Sequence, residues 1–367
     1  MFNLAQINTL LPNGQVSIPP RLEKAIQDSI GTDYETVLKA GEELRLAFDP
    51  VGQRITVDYT RPEIVDAYTL FYTRRNTLIP LVAMRDLLLN RTFLSLGPRI
   101  RMLDLGAGTG AVTIGMLDLF TQPFCRGLTL TVDALDSSQP CLERLKLLQR
   151  LAGLHSSAVN TSLVDFNRPT VLEKTLGQSS YDLIFAANVF NELDHEKSLD
   201  VLRCLPNHLA KLGAIVVVNA QKDYVKELMP KMAALAQSEG LHVYYPCPPG
   251  ITPSEFKCWF WREHQYQCKQ LRVSGRLVVS RHREQLVANW LVLVKQPCSI
   301  YDSFMERFQN LDWGVLSVYG DDSRTCDCPV CTSSGIKNIG KQDRLYKRGS
   351  IVGGLGEPFR VVEYVEL

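Results

Sequence analysis

Asp104 closes an apolar run and is followed by Gly106, Gly108 and Gly110, in the segment MLDLGAGTG that spans residues 102–110. Ile100 to Leu105 reads as a buried strand, and a helix is expected to start near Ala111. Glycines at this spacing let the backbone turn tightly and come close to a ligand at the head of that helix. A nucleotide-phosphate loop would carry a Lys-Ser/Thr pair after the glycines, and none is present. A carboxylate at the strand end does not suit a pyrophosphate; it suits a ligand with a cationic amino-acid group. The plain alternative is a strand–turn–helix that binds nothing.

Three further polar positions fall at predicted strand ends. Asp136 ends the run 128–135, where a carboxylate can accept two hydrogen bonds from a ribose diol, or cap the following helix. Asp165-Phe166 follows the third strand, in the place of an acid with an apolar neighbour beside a base, or of a simple turn. The fourth strand, Tyr181 to Ala187, runs into Asn188-Val189-Phe190-Asn191-Glu192-Leu193. The carboxyl ends of parallel strands face the ligand crevice, so Asn188 and Asn191 can meet a cofactor or substrate there. Glu192 has the chemistry of a base but equally that of a solvated first-turn acid. The Asn/Asp-Pro-Pro-Tyr pattern of amino-group methylases and a Pro-Cys pair are both missing from this segment. No residue is assigned as catalytic.

Ten cysteines are many for a chain without a secretory leader pattern. Cys326, Cys328 and Cys331 form C-x-C-P-x-C, Cys247 lies in YPCPP, and Cys258 lies in KCWFW. Thiolates two or three residues apart can reach one metal, so two ligands from 246–283 and two from the tail would make a four-thiolate site joining the two. Spacing alone leaves zinc and an iron–sulfur cluster open. Cys125, Cys141, Cys204 and Cys298 lack such spacing and read as packing residues. Residues 257–283 hold seven Lys and Arg against the single acid Glu263, interleaved with Trp259, Phe260, Trp261 and Tyr266. Basic residues among aromatics suit RNA, through phosphate contacts and base stacking, or form a merely solvated face.

These groups must be positioned by the surrounding elements. Residues 20–95 carry helical spacing: Leu22, Ala25, Ile26 and Ile30, then Ile64, Ala67, Leu70, Phe71 and Leu78. Thr60 is the expected N-cap of the second group, with Pro62 in its first turn. From about residue 96 strands and helices alternate, with strands expected at 100–105, 128–135, 159–164, 181–187, 213–219, 241–245 and 286–296. That alternation predicts a parallel sheet with helices on both faces. The expected organisation is a helical region 1–95, an α/β domain 96–297 with an insertion at 246–283, and a glycine-rich β tail 298–367. The formal charge of +1 carries no global polyanion signature, so a nucleic-acid surface must be local. No apolar run approaches a membrane span, and the start of the chain is unlike a signal peptide. A cytoplasmic monomer away from membranes is the expectation.

The acid-ended strand with its glycine loop resembles the first motif of class I S-adenosylmethionine (SAM) methyltransferases. The whole chain resembles the mitochondrial and bacterial small-ribosomal-subunit methyltransferase-like proteins. The resemblance rests on the Ala67-Tyr68 helical region, Asp104 to Gly110, and Ala187 to Leu193 against the family's V-x-N-E-L segment. It extends to Pro246-Cys247-Pro248, to Cys258 against a Trp-Cys-x-Phe segment, to Cys331 through Gly335, and to Lys341 through Arg348. The family's second cysteine, shortly after the first, has no counterpart in 249–257, and Cys326 or Cys328 stands in for it. The resemblance implies a class I, Rossmann-like SAM-methyltransferase fold. It implies SAM at Asp104, Gly106, Gly108, Gly110, Asp136, Asp165, Phe166 and Asn188. It also implies a 4Fe-4S cluster on Cys247, Cys258, Cys328 and Cys331, with Cys326 as the substitute, and small-subunit rRNA or the small ribosomal subunit as partner. Methyl transfer to that RNA, a SAM-binding assembly role without turnover, and a small-molecule methyltransferase with a zinc-stapled lid all use the same loop.

Overall fold

The structure, a computed structural model, describes residues 16–48, 56–89, 97–155, 157–220, 223–246, 261–267, 271–279 and 283–302, and five short strands between 312 and 365. After β1 (Val16–Ser17) come α1 (Pro20–Asp28), α2 (Tyr34–Ala47), α3 (Pro62–Tyr68) and α4 (Ile79–Leu89). The alternating part follows: β2 (Arg99–Leu105), α5 (Ala111–Phe120), β3 (Thr129–Asp136), α6 (Gln139–Leu151), β4 (Ala158–Leu163), α7 (Pro169–Leu176), β5 (Tyr181–Ala187), α8 (His195–Cys204), β6 (Leu209–Asn219), α9 (Asp223–Ser238) and β7 (His242–Tyr245). Then come β8 (Trp261–Gln267), β9 (Leu271–Val273), β10 (Arg276–Val279) and β11 (Arg283–Val294). The tail supplies a separate five-stranded sheet from β12 (Asp312–Leu316), β13 (Pro329–Thr332), β14 (Gly335–Asn338), β15 (Ile351–Leu355) and β16 (Arg360–Val365).

The main sheet runs β1-β8-β11-β6-β5-β2-β3-β4, with β7 also paired to β11. β6, β5, β2, β3 and β4 are mutually parallel. This is the doubly wound order, in which the chain reverses direction across the sheet between β2 and β5. The expectation of a parallel sheet needs one correction: β11 runs antiparallel to β6, β7 and β8. The segment read as an insertion therefore also lengthens the main sheet through β8 and lays down the hairpin β9–β10.

Side-chain alternation decides which face each strand residue serves. Met102, Val132, Phe185, Val216 and Trp290 point into the layer that holds α1, α4, α5 and α6. Leu103, Leu135, Ile184, Val217 and Leu291 point into the layer of α7, α8 and α9. Both faces are covered, so the central strands read as apolar runs rather than as alternating ones. Close approach of α5 to the preceding helical region requires Gly115, where a Cβ would stand 2.1 Å from the Thr77 carbonyl oxygen.

Polar links seat the N-terminal helices on the sheet. Asp66 accepts from the Gly31 and Thr32 amides and pairs with Arg144 of α6. Within the helical region itself, Glu23 of α1 pairs with Arg74 at 3.0 Å, and both side chains are buried. Removing one member of such a buried pair costs about 3–5 kcal/mol, because the other charge is left in a dry site. Pro62 is the first residue of α3, as its fixed φ favours, but Thr60 is not the N-cap. Arg61 occupies that position without a side-chain cap, and the Thr60 hydroxyl instead donates to Asp58. Beyond Tyr68 the helix widens into a π-turn, Thr69–Thr73, before one more α-turn, Arg74–Asn76. Among the described residues no helix is long and apolar enough to cross a membrane.

Candidate functional site

The carboxyl ends of β2, β3 and β5 meet at the reversal point, and the glycine loop lies across them. All three glycines have positive φ: +69° at Gly106, +52° at Gly108 and +93° at Gly110. They are needed for different reasons. A Cβ on Gly110 would come within 2.5 Å of Leu145 on α6, so that position serves helix packing. At Gly108 the nearest atom to an added Cβ is a Tyr68 ring carbon at 4.0 Å, so the loop there faces open space.

Two carboxylates hold the loop. Asp136 accepts from the Gly108 amide at 2.7 Å and from the Ser138 amide at 2.8 Å. Each of its oxygens keeps a further lone pair for a ligand hydroxyl. Burial raises its pKa, against the pull of those amides. Asp104 is 1% exposed and sits under the loop, accepting from the Thr113 amide at 3.0 Å and the Thr113 hydroxyl at 2.6 Å. Burial lifts its pKa to about 7.

A cavity of about 250 Å³ opens above this loop. Gly106, Gly108, Asp136, Asp165, Phe166 and Asn188 all line it. Asp104 and Gly110 are not among its lining residues; they support the loop from beneath and behind. Asp165 accepts from Asn167, through both its amide and its side chain, which lowers its pKa. Cys141 is buried against the same cavity, and burial pushes its thiol up to about 12. Asn188 holds φ +64° at the end of β5, with its amide bonded to the Val218 carbonyl at 2.6 Å and its side-chain oxygen accepting from Asn191. A non-glycine residue in that region is strained, and such strain gathers at functional positions.

A second cavity of about 280 Å³ adjoins the first, and Tyr68, Asn188 and Glu192 line both. Its other lining residues include Arg45, Phe48, Tyr72, Arg75, Asn76 and Asn191. Tyr59 donates to Glu192 at 3.0 Å, and burial followed by that carboxylate raises the Tyr59 pKa. Glu192 precedes α8, whose N-cap is Asp194, so it is not a first-turn acid. Sequence reading singled out Tyr68 only through the resemblance and passed over Phe48, Tyr59, Tyr72 and Arg75. The available signal was Tyr68, Tyr72 and Asn76, spaced four apart on one helical face.

Cys247, Cys258, Cys326 and Cys328 lie outside the described residues. Cys331 lies on β13, opposite Val315 of β12 and Ile336 of β14. Among the described residues no group of three or more His, Cys, Asp or Glu side chains is gathered for a metal. Cys125, Cys141 and Cys204 are buried free thiols, and Cys298 is half-buried. Of the basic insertion, Arg272 and Arg276 are described and exposed. Arg276 pairs with Glu35 at 2.7 Å and lies over the Tyr34 ring.

The sheet order, the crevice at its reversal point and the glycine loop define a Rossmann-like α/β protein. No family model and no curated protein matches the chain. Among solved structures it is similar to the CcbJ methyltransferase from Streptomyces caelestis, at 27% identity over 35% of this chain and 46% of that one, TM-score 0.26. It thus spans about half the length of that enzyme. It is also similar to a TehB-like SAM-dependent methyltransferase from Corynebacterium glutamicum (16% identity, 64% of this chain and 100% of that one, TM-score 0.35). A third is the ribosomal protein L11 methylase from Lactobacillus delbrueckii subsp. bulgaricus (14%, 59% and 80%, TM-score 0.32).

The raised pKa of Asp104 has a measurable consequence. The native state holds this proton more tightly than the unfolded chain, whose Asp titrates near 4. From about pH 4 to about 7, raising the pH therefore removes stability, with a slope of at most about 1.4 kcal/mol per pH unit from this group. Asp104→Asn lacks the titration, so its stability relative to wild type should rise between pH 5 and pH 8 in urea unfolding. A difference that stays constant across that range would count against the buried carboxyl.

Proposed function

We propose that the chain is a SAM-dependent methyltransferase that acts on small-subunit rRNA. The observation that carries the reading is a pair of adjoining cavities with a shared wall of Tyr68, Asn188 and Glu192, one of them over the glycine loop. The cavity over the loop suits SAM. Asp136 offers carboxylate lone pairs to the ribose, Asp165 and Phe166 flank the place of the adenine, and the open face at Gly108 lets the backbone approach. Bound SAM supplies an electrophilic methyl group on a sulfonium. The chain's own part is positioning: it holds the acceptor in the second cavity, in line with the first, and little else is needed for a direct displacement.

The choice of RNA is supported by the local charge of 257–283, where exposed Arg272 projects from the hairpin β9–β10. A 4Fe-4S cluster on Cys247, Cys258, Cys331 and Cys328, with Cys326 as the substitute, is what the family resemblance implies; the four-thiolate donor set suits it and zinc alike. Such a cluster would tie the insertion to the tail. The same geometry serves a SAM-binding assembly factor without turnover, and the aromatic lining of the second cavity also favours a small-molecule acceptor.

Calorimetry should show SAM binding to wild type and none to Gly108→Val, whose branched side chain would fill the open face of the loop at positive φ. Equal affinity would remove the cofactor assignment. Protein purified without air should absorb in the visible and contain iron; a colourless protein with stoichiometric zinc would replace the cluster by a zinc site of the same thiolates. Arg272→Glu with Arg276→Glu should weaken binding of small-subunit rRNA fragments and flatten its salt dependence, since each lost phosphate contact removes a released counterion. Wild-type affinity in that variant would leave a solvated basic face and move the small-molecule reading ahead.

A further inference from the structure

We propose that the second cavity is an acceptor pocket for a flat aromatic ring bearing a carbonyl or hydroxyl oxygen, held by stacking on tyrosine and by the Arg75 guanidinium. The placement of its reacting edge rests on the methyltransferase reading; the ring selectivity does not. Three aromatic side chains line this space, and Tyr59, which lines the cavity over the loop, packs behind Tyr68. Tyr68 and Tyr72 are stacked, with centroids 5.4 Å apart and planes at 22°. Phe48 meets Tyr72 edge-on at 5.0 Å and 77°, and Tyr59 meets Tyr68 edge-on at 5.6 Å and 84°. All four rings are half-buried rather than sealed in the core. Phe48, Tyr68 and Tyr72 line the pocket.

Arg75 is the second, independent observation. Its guanidinium lies 4.9 Å from the centroid of the Tyr72 ring, and its Nε is buried with no hydrogen-bond partner. A buried donor without an acceptor is destabilising, and a ligand oxygen would relieve that cost. The π-turn at Thr69–Thr73 separates Tyr68 from Arg75 and sets both toward one space, as π-turns often do at functional positions. Thr73 bonds through its hydroxyl to Thr109 of the glycine loop, which couples this wall to the other cavity.

The chemistry of the lining selects the ligand. An aliphatic guest would bury apolar area but leave the Arg75 donor unmet. A phosphate would satisfy Arg75, but Arg45 at the same cavity is already paired with Glu42, the Glu192 carboxylate stands at the shared wall, and the aromatic faces would go unused. A planar ring with a neutral oxygen stacks on the rings, accepts from Nε, and presents its edge to the amides of Asn76, Asn188 and Asn191. A nucleobase of RNA and a free aromatic metabolite both carry this chemistry.

The test uses the full chain saturated with S-adenosylhomocysteine. Guanosine, uridine, 4-quinolone and cyclohexanone are titrated in turn and followed by saturation-transfer NMR. The planar probes should bind and cyclohexanone should not. Arg75→Met and Tyr72→Leu should each weaken the planar probes about tenfold, within the range of one cation–π contact and its hydrogen bond. Arg75→Lys, which keeps the charge but loses the flat donor, serves as the milder variant should either of those fail to fold. Binding confined to the nucleosides would identify a base as the source, and binding confined to 4-quinolone a free aromatic; either supports the pocket. Cyclohexanone binding as well as the rings, no binding by any ring, or wild-type affinity in folded Arg75 and Tyr72 variants would overturn it. Failure of wild type to bind S-adenosylhomocysteine would instead strike the methyltransferase reading and leave the ring titration to decide the pocket alone.

Discussion

A glycine loop with three residues at positive φ has no preferred shape of its own, and two carboxylates give it one. Asp136 takes the Gly108 amide from the end of β3, and Asp104 takes the Thr113 amide and hydroxyl from the end of β2. One bond fixes the crest of the loop and the other fixes the first turn of α5. A bare glycine segment loses more conformational entropy on ordering than any other, so an ordered loop needs such fixed hydrogen-bond acceptors. Everything at the crevice is measured from this frame: the open face at Gly108, the place of Phe166 across the cavity, and the start of the helix that packs on Thr77.

The N-terminal helices complete the site rather than merely covering the sheet. Their ties to the α/β layer are polar and specific: Asp66 with Arg144, Arg21 with Asp118, and Thr73 with Thr109. Apolar packing alone would let these helices slide, whereas a buried ion pair is costly to break and fixes the register. The result is that Tyr68 and Tyr72 stand beside the strand ends. The aromatic wall thus belongs to one part of the chain and the glycine loop to another, and the two cavities exist only where those parts meet.

Two aspartates of the same local pattern end up in different roles. Asp104 and Asp136 each end a central strand before a helix. Asp104 turns under the loop toward α5 and is sealed there, while Asp136 turns toward the cavity and lines it. The acid that makes the motif recognisable thus bonds to α5, and its neighbour on the next strand is the one that lines the cavity. Burial raises the pKa of both; the Thr113 hydroxyl and amide oppose that rise at Asp104, and the Ser138 and Gly108 amides oppose it at Asp136.

The succession of strands and helices along the chain, the glycine loop and the acids at strand ends were legible in the chain, because apolar runs buried on both faces and glycines before a helix are local signals. The strand limits fell within a few residues of the expected ones, except where β6 begins earlier, at Leu209. Tertiary structure alone decided the antiparallel direction of β11 and the joining of β8 to the main sheet, since pairing direction leaves no mark in a run of valines and leucines. It alone decided that Thr60 serves Asp58 rather than the helix. It also chose which of the aspartates faces the cavity, because that depends on what lies above each strand. The aromatic pocket was the least legible feature. Phe48, Tyr68, Tyr72 and Arg75 carry no local mark of a site, and only the packing of α2 on α3 beside Asn188 and Glu192 turns them toward one space.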